Sequence, residues 1–230
     1  TNPPSDERLM DWLVEDFRTH HFDVKHLIRL IMTSAVYQRS SATIPGNERD
    51  LKYLSHYLPR RLSAEVLLDA ISQVTEAPTN FTGYPAGWRS LQLPDTQVDS
   101  AFLSAFGRPE RVTTCSCERT SEPSMAQALH LANGSTLNDK LRADSNVVAR
   151  SIQQKRPDDL IVEEAFLAAL SRRPSERERA AYLQALRAAV ATPAPAAESK
   201  PGSAAAQPRR QAIEDVYWAL LTSDEFLFNH

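Results

Sequence analysis

Apolar residues in this chain recur at steps of three and four, and hardly anywhere at every second position. That period lines side chains up on one stripe of a helix, whereas a half-buried strand needs alternation. Glycine, which weakens helices, occurs only 6 times in 230 residues. The expectation is an all-α chain: a single irregular multi-helix domain over residues 1–230, with long loops.

Cap and stripe signals give the order of the helices. Ser5 is placed to cap a first helix reaching Thr19, with Leu9, Trp12, Leu13 and Phe17 as its stripe. After the turn His20-His21-Phe22, Asp23 caps a second helix carrying Val24, Leu27, Ile28, Ile31 and Ala35. Gln38 to Arg49 reads as a loop, followed by a short helix around Leu51 to Leu58 that Pro59 stops. Ser63 caps a helix with Val66, Leu67, Ala70, Ile71 and Val74, and Glu65 in its first turn suits the helix dipole. Residues 78–100 hold Pro78, Gly83, Pro85, Gly87 and Pro94 with Phe81, Tyr84 and Trp88, the composition of a long loop with aromatic anchors covering the core.

Pro123 fits the first turn of a helix with Met125, Ala128, Leu129 and Ala132, ended by a Gly134 cap. Further helices are expected over Ser135–Arg142, Asn146–Lys155 and Asp158–Ser171, the last burying Leu160, Ile161, Ala165, Phe166 and Leu170. Ser175 and Glu178 have capping-box spacing ahead of Tyr182, Leu183, Leu186 and Val190. Residues 192–208, TPAPAAESKPGSAAAQP, lack large apolar side chains and cannot offset the entropy of ordering, so they read as a disordered linker inside the domain. Beyond it, residues 209–230 return to helical spacing at Ile213, Val216, Tyr217, Leu220 and Leu221, a helix expected to dock back on the rest.

Charge narrows the function classes. A net charge of -3 gives no general affinity for nucleic acid, and Arg172-Arg173 and Arg209-Arg210 read as solvated helix ends. No run approaches the roughly 20 apolar residues needed to span a bilayer. The opening TNPPSDERLM lacks a secretion signal and, without Met, has the look of an excised piece of a longer chain.

The only two cysteines, Cys115 and Cys117, stand one residue apart in CSCERT. Covalent haem needs C-x-x-C followed by histidine, so no haem c attaches here. Structural zinc needs four ligands, leaving Cys115, Cys117 and His130 as an incomplete set, and the thiols read as structural. His20, His21 and His26 with Asp23 form a second group of metal-capable donors, for which a polar turn before a helix is the favoured reading. No nucleophile elbow, zinc-protease helix, phosphate loop or dinucleotide fingerprint occurs, so no complete catalytic motif is found. Charges gather instead around Arg61, Glu65, Glu118 and Arg119. They are the ligand-binding candidates: an arginine to hold an anionic or sugar group, and a carboxylate as acid or base. The competing and favoured reading pairs them off as ties between loops and helices.

The stretches NPPSDERLMDWL, DVKHLIRLIMTSAVYQRSS, RRLSAEVLLDAI, FGRPERVTTCSCERTSEPSMAQALHLANG, LAALSRRPSERE and WALLTSDEFLFNH, in this order, resemble the domain of unknown function 1553 family. That family forms the C-terminal module of planctomycete-type multidomain proteins with cytochrome-c-like domains upstream. The resemblance implies an extracytoplasmic parent, periplasmic or in the cell envelope, with haem c possible in the upstream domains and no cofactor in this chain. Its partners would be those domains, and a polysaccharide or an envelope protein. It transfers no catalytic residue, and ERTSEPSMAQAL departs from the family's usual spacing around Pro123. Two functions follow: a binding or structural module, which is favoured, or part of an extracellular carbohydrate-active or redox enzyme.

Overall fold

A computed structural model describes residues 3–4, 6–94, 98–109, 124–191 and 208–229. Ser5, Pro123, residues 192–207 of the expected linker and the side chain of Val190 lie outside the described residues, as does the CSCERT segment, while Pro208, expected at the end of that linker, is helical. The fold is all-α, and the only sheet among the described residues pairs two-residue strands, β1 (Arg60–Arg61) with β2 (Phe228–Asn229). Contacts divide the chain into two compact units, Thr1–Arg60 and Arg61–Asn229.

The first unit holds α1 (Glu7–Thr19) and α2 (Val24–Met32), which pack on each other. Asp6 caps α1, its carboxylate accepting the Leu9 N–H at 3.1 Å. Asp23 caps α2 as expected, accepting from Lys25 N–H at 2.8 Å and His26 N–H at 3.1 Å, and the His26 bond leads in lowering its carboxyl pKa. The turn between them places His21 and Phe22 at positive φ. Helix α2 ends before Ala35, because the Thr33 hydroxyl donates to the Arg29 carbonyl (2.8 Å) and the Ser34 hydroxyl to that of Ile31 (2.7 Å). The Ile31 carbonyl, which the next turn would have used, accepts both the Ser34 N–H at 3.1 Å and the Ser34 hydroxyl. Apart from Ala35 the expected stripes lie on helices, yet neither helix has a fully buried residue: Trp12, Ile28 and Ile31 are exposed.

The helix expected around Leu51 to Leu58 does not form. The Asp50 carboxylate instead accepts the backbone N–H groups of Lys52 (3.0 Å), Tyr53 (2.7 Å) and Ser55 (2.9 Å), and Leu54 takes a positive φ. A local side-chain bond of this kind competes directly with helix formation. The Ser55 hydroxyl and these amides hold the Asp50 carboxyl well below the usual carboxylate range.

The second unit is built around α3 (Ala64–Thr75), which touches α4 (Ala101–Ala105), α6 (Ser135–Arg142), α7 (Val147–Gln153) and α8 (Asp158–Leu170). Ser63 stands at the cap of α3 but makes no side-chain bond there. Leu67, Leu68, Ile71 and Val74 are buried, while the expected Val66 and Ala70 are only half-buried. Each fully buried side chain of this size contributes roughly 1.5–3 kcal/mol of transfer free energy.

Helix α5 (Met125–Asn133) starts with a reciprocal cap between Ser124 and Gln127. It meets α6 at Gly134, whose N–H bonds to the His130 carbonyl at 2.8 Å. Gly134 is the C-cap of α5 as expected, in extended conformation at φ -67 and ψ 150. Close approach is what demands glycine, since a Cβ would lie 2.2 Å from the His130 carbonyl oxygen. Asn146 caps α7: its Oδ1 accepts the Ala149 N–H (2.8 Å), while its amide donates to the carbonyls of Lys140 (2.8 Å) and Leu141 (2.5 Å).

Helix α8 buries Ile161, Val162, Ala165 and Phe166 but leaves the expected Leu160 exposed. The capping box that opens α9 (Glu176–Ala191) forms, with Ser175 N–H donating to Glu178 Oε2 at 2.7 Å and Glu178 N–H to Ser175 Oγ at 3.3 Å. Helix α10 (Pro208–Leu221) packs between α8 and α9 through Ile213, Val216, Tyr217, Leu220 and Leu221, and α11 (Asp224–Leu227) adds Phe226. The arginine pairs expected to be solvated are mostly ties between elements. Arg172 lies over the Phe166 ring and donates to both Glu178 and Glu225, Arg209 reaches Asp158 at 2.8 Å, and Arg210 reaches the Arg142 carbonyl at 2.9 Å. No helix among the described residues is long and apolar enough to cross a membrane.

Candidate ligand-binding cleft

Helix α3 and its C-cap carry polar residues at positions 65, 69, 72, 73 and 76, apart from the buried Thr75. Those steps put Glu65, Asp69, Ser72, Gln73 and Glu76 along one side of a helix whose other positions are core. The polar side faces two settings, a dry ionic cluster near its start and an open cleft along the rest.

In the dry cluster, Arg108 Nε lies 3.8 Å from Glu65 Oε1, with side-chain exposures of 5% and 7%. Arg61 donates to Gln127 Oε1 and, at 3.2 Å, to the Phe106 carbonyl, and its guanidinium lies over the Phe106 ring. Burial pushes the Arg61 pKa down. Gln127 in turn donates to the Ala105 carbonyl at 3.1 Å, so side chains from β1, α3 and α5 are fastened to the end of α4. Of the four residues expected at a ligand site, Arg61 and Glu65 are therefore in ion-pair and hydrogen-bond networks within the protein, and Glu118 and Arg119 lie outside the described residues. Cys115 and Cys117 lie outside them too. His130 bonds Thr136 Oγ1 at 3.0 Å with its edge toward Phe102 and Phe106, and burial lowers its pKa.

The open cleft measures about 310 Å³ and is lined by Asp69, Ser72, Gln73, Glu76, Pro78, Thr79, Gly87, Trp88 and Arg89. One wall is α3; the other is the aromatic loop, whose Phe81 and Leu93 are sunk in the core. The covering role expected of that loop is thus real, and Asp69 is what fixes it. Its buried carboxylate accepts the Ser90 N–H at 2.7 Å and the Leu91 N–H at 3.2 Å, at the start of a one-turn 3-10 helix (Ser90–Gln92), while Arg89 Nε lies 3.6 Å away. An anion at the orphan amides of a helical turn is stabilised by both charge and hydrogen bonding. Nearby, Ser72 Oγ donates to the Leu68 carbonyl (2.7 Å) and lies 3.1 Å from Thr79 Oγ1. Glu76, at the left-handed end of α3, pairs with Arg150 at 2.6 Å. The half-buried Trp88 ring packs 5.4 Å from Tyr84 and presents to the cleft beside Gly87 and Arg89.

Behind α3, Lys140 is buried with its ammonium 2.5 Å from the Ala77 carbonyl. Burial lowers its pKa to about 8, an effect the Asp69 carboxylate partly opposes.

Sequence reasoning singled out Trp88 only as an anchor and missed Asp69, Gln73, Glu76 and Arg89. The signal was present in the polar steps of α3, which attention to its apolar stripe alone passes over. No curated protein and no solved structure matches the chain significantly. The family described as "Protein of unknown function (DUF1553)" matches residues 1–186, a span that includes both units' helices up to α9 and the whole lining of the cleft. With most of its length matched, the chain belongs to the DUF1553 family.

Proposed function

We propose that the second unit is a non-catalytic binding module whose cleft along α3 takes a segment of polysaccharide. The observation that carries this is the lining: one half-buried indole beside neutral and charged hydrogen-bonding side chains, in a groove too polar for an apolar ligand. An aromatic face against a sugar ring, with amides and hydroxyls around it, supplies apolar contact and directional bonding together. Binding is favoured over catalysis because the carboxylate most buried in the cleft, Asp69, already accepts two backbone N–H bonds. A carboxylate whose lone pairs are so occupied has little left to offer as a nucleophile. The ion-paired state of Glu65 and Arg108 supports the same reading. In this proposal the module serves an exported multidomain protein whose haem, if present, sits in other domains; the family resemblance supports that placement.

Isothermal titration of the 230-residue chain with a panel of neutral and acidic oligosaccharides tests it. Saturable binding that Trp88→Ala removes, in a variant with unchanged far-UV dichroism, is the expected result. Binding that survives Trp88→Ala, or none across the panel, would overturn the saccharide assignment. Turnover of a bound oligosaccharide would make the enzyme reading the correct one.

A further inference from the structure

Away from the cleft, α1 and α2 bring together three metal-capable donors. Asp16 and His20 stand four residues apart at the end of α1, the spacing that places two ligands on one face of a helix. His26, in the first turn of α2, reaches back so that His26 Nε2 lies 2.9 Å from Asp16 Oδ2, while His20 Nδ1 lies 3.4 Å from Asp16 Oδ1. One donor atom from each residue lies within 4.8 Å of the other two. Asp23 takes no part, being committed to the cap of α2, and His21 is outside the group.

We propose that Asp16, His20 and His26 bind one zinc-like divalent transition-metal ion, clipping α1 to α2. Two imidazoles and a carboxylate are a donor set suited to such an ion and poorly suited to calcium or magnesium, which take all-oxygen shells. Zinc holds nitrogen at about 2.0–2.1 Å and oxygen at about 2.0–2.2 Å, which in a tetrahedron spaces donors roughly 3.3 Å apart. The Asp16–histidine distances of 2.9 and 3.4 Å, each to its own carboxylate oxygen, lie either side of that value, and the three donors stand within 4.8 Å of one another, so a small side-chain shift brings them onto one ion. The imidazoles of His20 and His26 now stack, with centroids 3.7 Å apart and planes 14° from parallel, and His20 Nδ1 lies 2.8 Å from the Asp16 carbonyl. Ligation turns the rings out of that stack so that their lone pairs converge, and exchanges the carbonyl contact for the ion. Water completes the coordination at the solvent side, where His20 is exposed.

A second observation points the same way. Neither α1 nor α2 has a buried residue, and the pair is joined by a turn with two consecutive positive-φ residues, His21 and Phe22. Short helical pairs without a core depend on a covalent or metal staple more than larger domains do. An ion shared by the last turn of α1 and the first turn of α2 supplies one where it is needed.

The test uses Co2+ as a spectroscopic probe and Zn2+ as competitor, on the full chain with Cys115→Ser and Cys117→Ser so that thiols contribute no ligand. The expected result is one Co2+ per chain, displaced by Zn2+, with affinity lowered at least about tenfold in His20→Ala, in His26→Gln and in Asp16→Asn. His21→Asn, which tolerates the left-handed backbone at that position, leaves affinity unchanged. Zn2+ also raises the unfolding midpoint of the parent and not of His26→Gln. No saturable Co2+ binding, or binding unaltered in the His20→Ala/His26→Gln double variant, would overturn the site, as would a loss in His21→Asn equal to that in His20→Ala.

Discussion

Lys140 offers the sharpest check on how the second unit is assembled. Its ammonium is buried behind α3, with the Ala77 carbonyl 2.5 Å away, and burial takes its pKa from 10.5 to about 8. A difference of about 2.5 units at 1.36 kcal/mol each amounts to about 3 kcal/mol. The sign follows from proton binding. Below pH 8 both folded and unfolded chains carry the proton, and the folded state bears the whole cost of the buried charge. Between pH 8 and 10.5 the folded lysine discharges first, the unfolded chain binds more protons, and stability rises with pH. Lys140→Met removes this response and leaves the Ala77 carbonyl without its donor, a loss of about 1–3 kcal/mol that does not depend on pH. Urea unfolding of both proteins, followed by fluorescence in a Trp12→Phe background so that Trp88 and Trp218 report on the second unit, measures the difference. The parent should gain about 3 kcal/mol on the variant from pH 8 to pH 10.5. A difference that stays flat across that interval would refute the burial of Lys140 as a charged amine.

Three further outcomes follow from the caps and ties. Asn146→Ala removes a helix cap and the donors of two buried carbonyls, and should cost about 2–3 kcal/mol by urea unfolding; a cost under about 0.5 kcal/mol would contradict the bonding described. Asp69→Asn faces an amide group toward the Ser90 and Leu91 N–H groups, and should raise their hydrogen-exchange rates selectively while weakening any ligand bound in the cleft. The Arg172 guanidinium, with help from Ser175, lowers the Glu178 carboxyl from 4.5 to about 2, so its contribution is complete above pH 4.5 and lost as pH falls toward 2. The stability difference between the parent and Glu178→Gln should shrink over that acid interval, and one that does not change there would show that the pair is not formed.

Local signals carried much of the fold. Helices announced by a cap and a stripe formed where the sequence places them: Asp23 before α2, and Ser175 with Glu178 before α9. Each of these is decided within four residues, so neighbours in sequence suffice to show it. The failures lay where a competing bond or a distant partner decides. Asp50 draws three amides into a turn and forestalls the helix after it, and Thr33 and Ser34 end α2 early. The stripes of α1 and α2 identified helices but not burial, because what covers a stripe is not written in its own period. The cleft was illegible for a related reason. Asp69 is meaningful only once the loop 21 residues later lies on it, with the Ser90 N–H at 2.7 Å, and no spacing rule connects the two. Arg61 and Glu65 were identified by charge density alone, which cannot distinguish a ligand's partners from the protein's own.

The binding reading rests on Trp88 more than on any other residue, and a chain in which it is the only indole isolates it. In Trp12→Phe/Trp218→Phe, titration with the tightest-binding oligosaccharide should quench or shift Trp88 emission along the same saturation curve as the calorimetric signal. Calorimetric binding with no change in Trp88 emission would place the ligand elsewhere and contradict the cleft as the site.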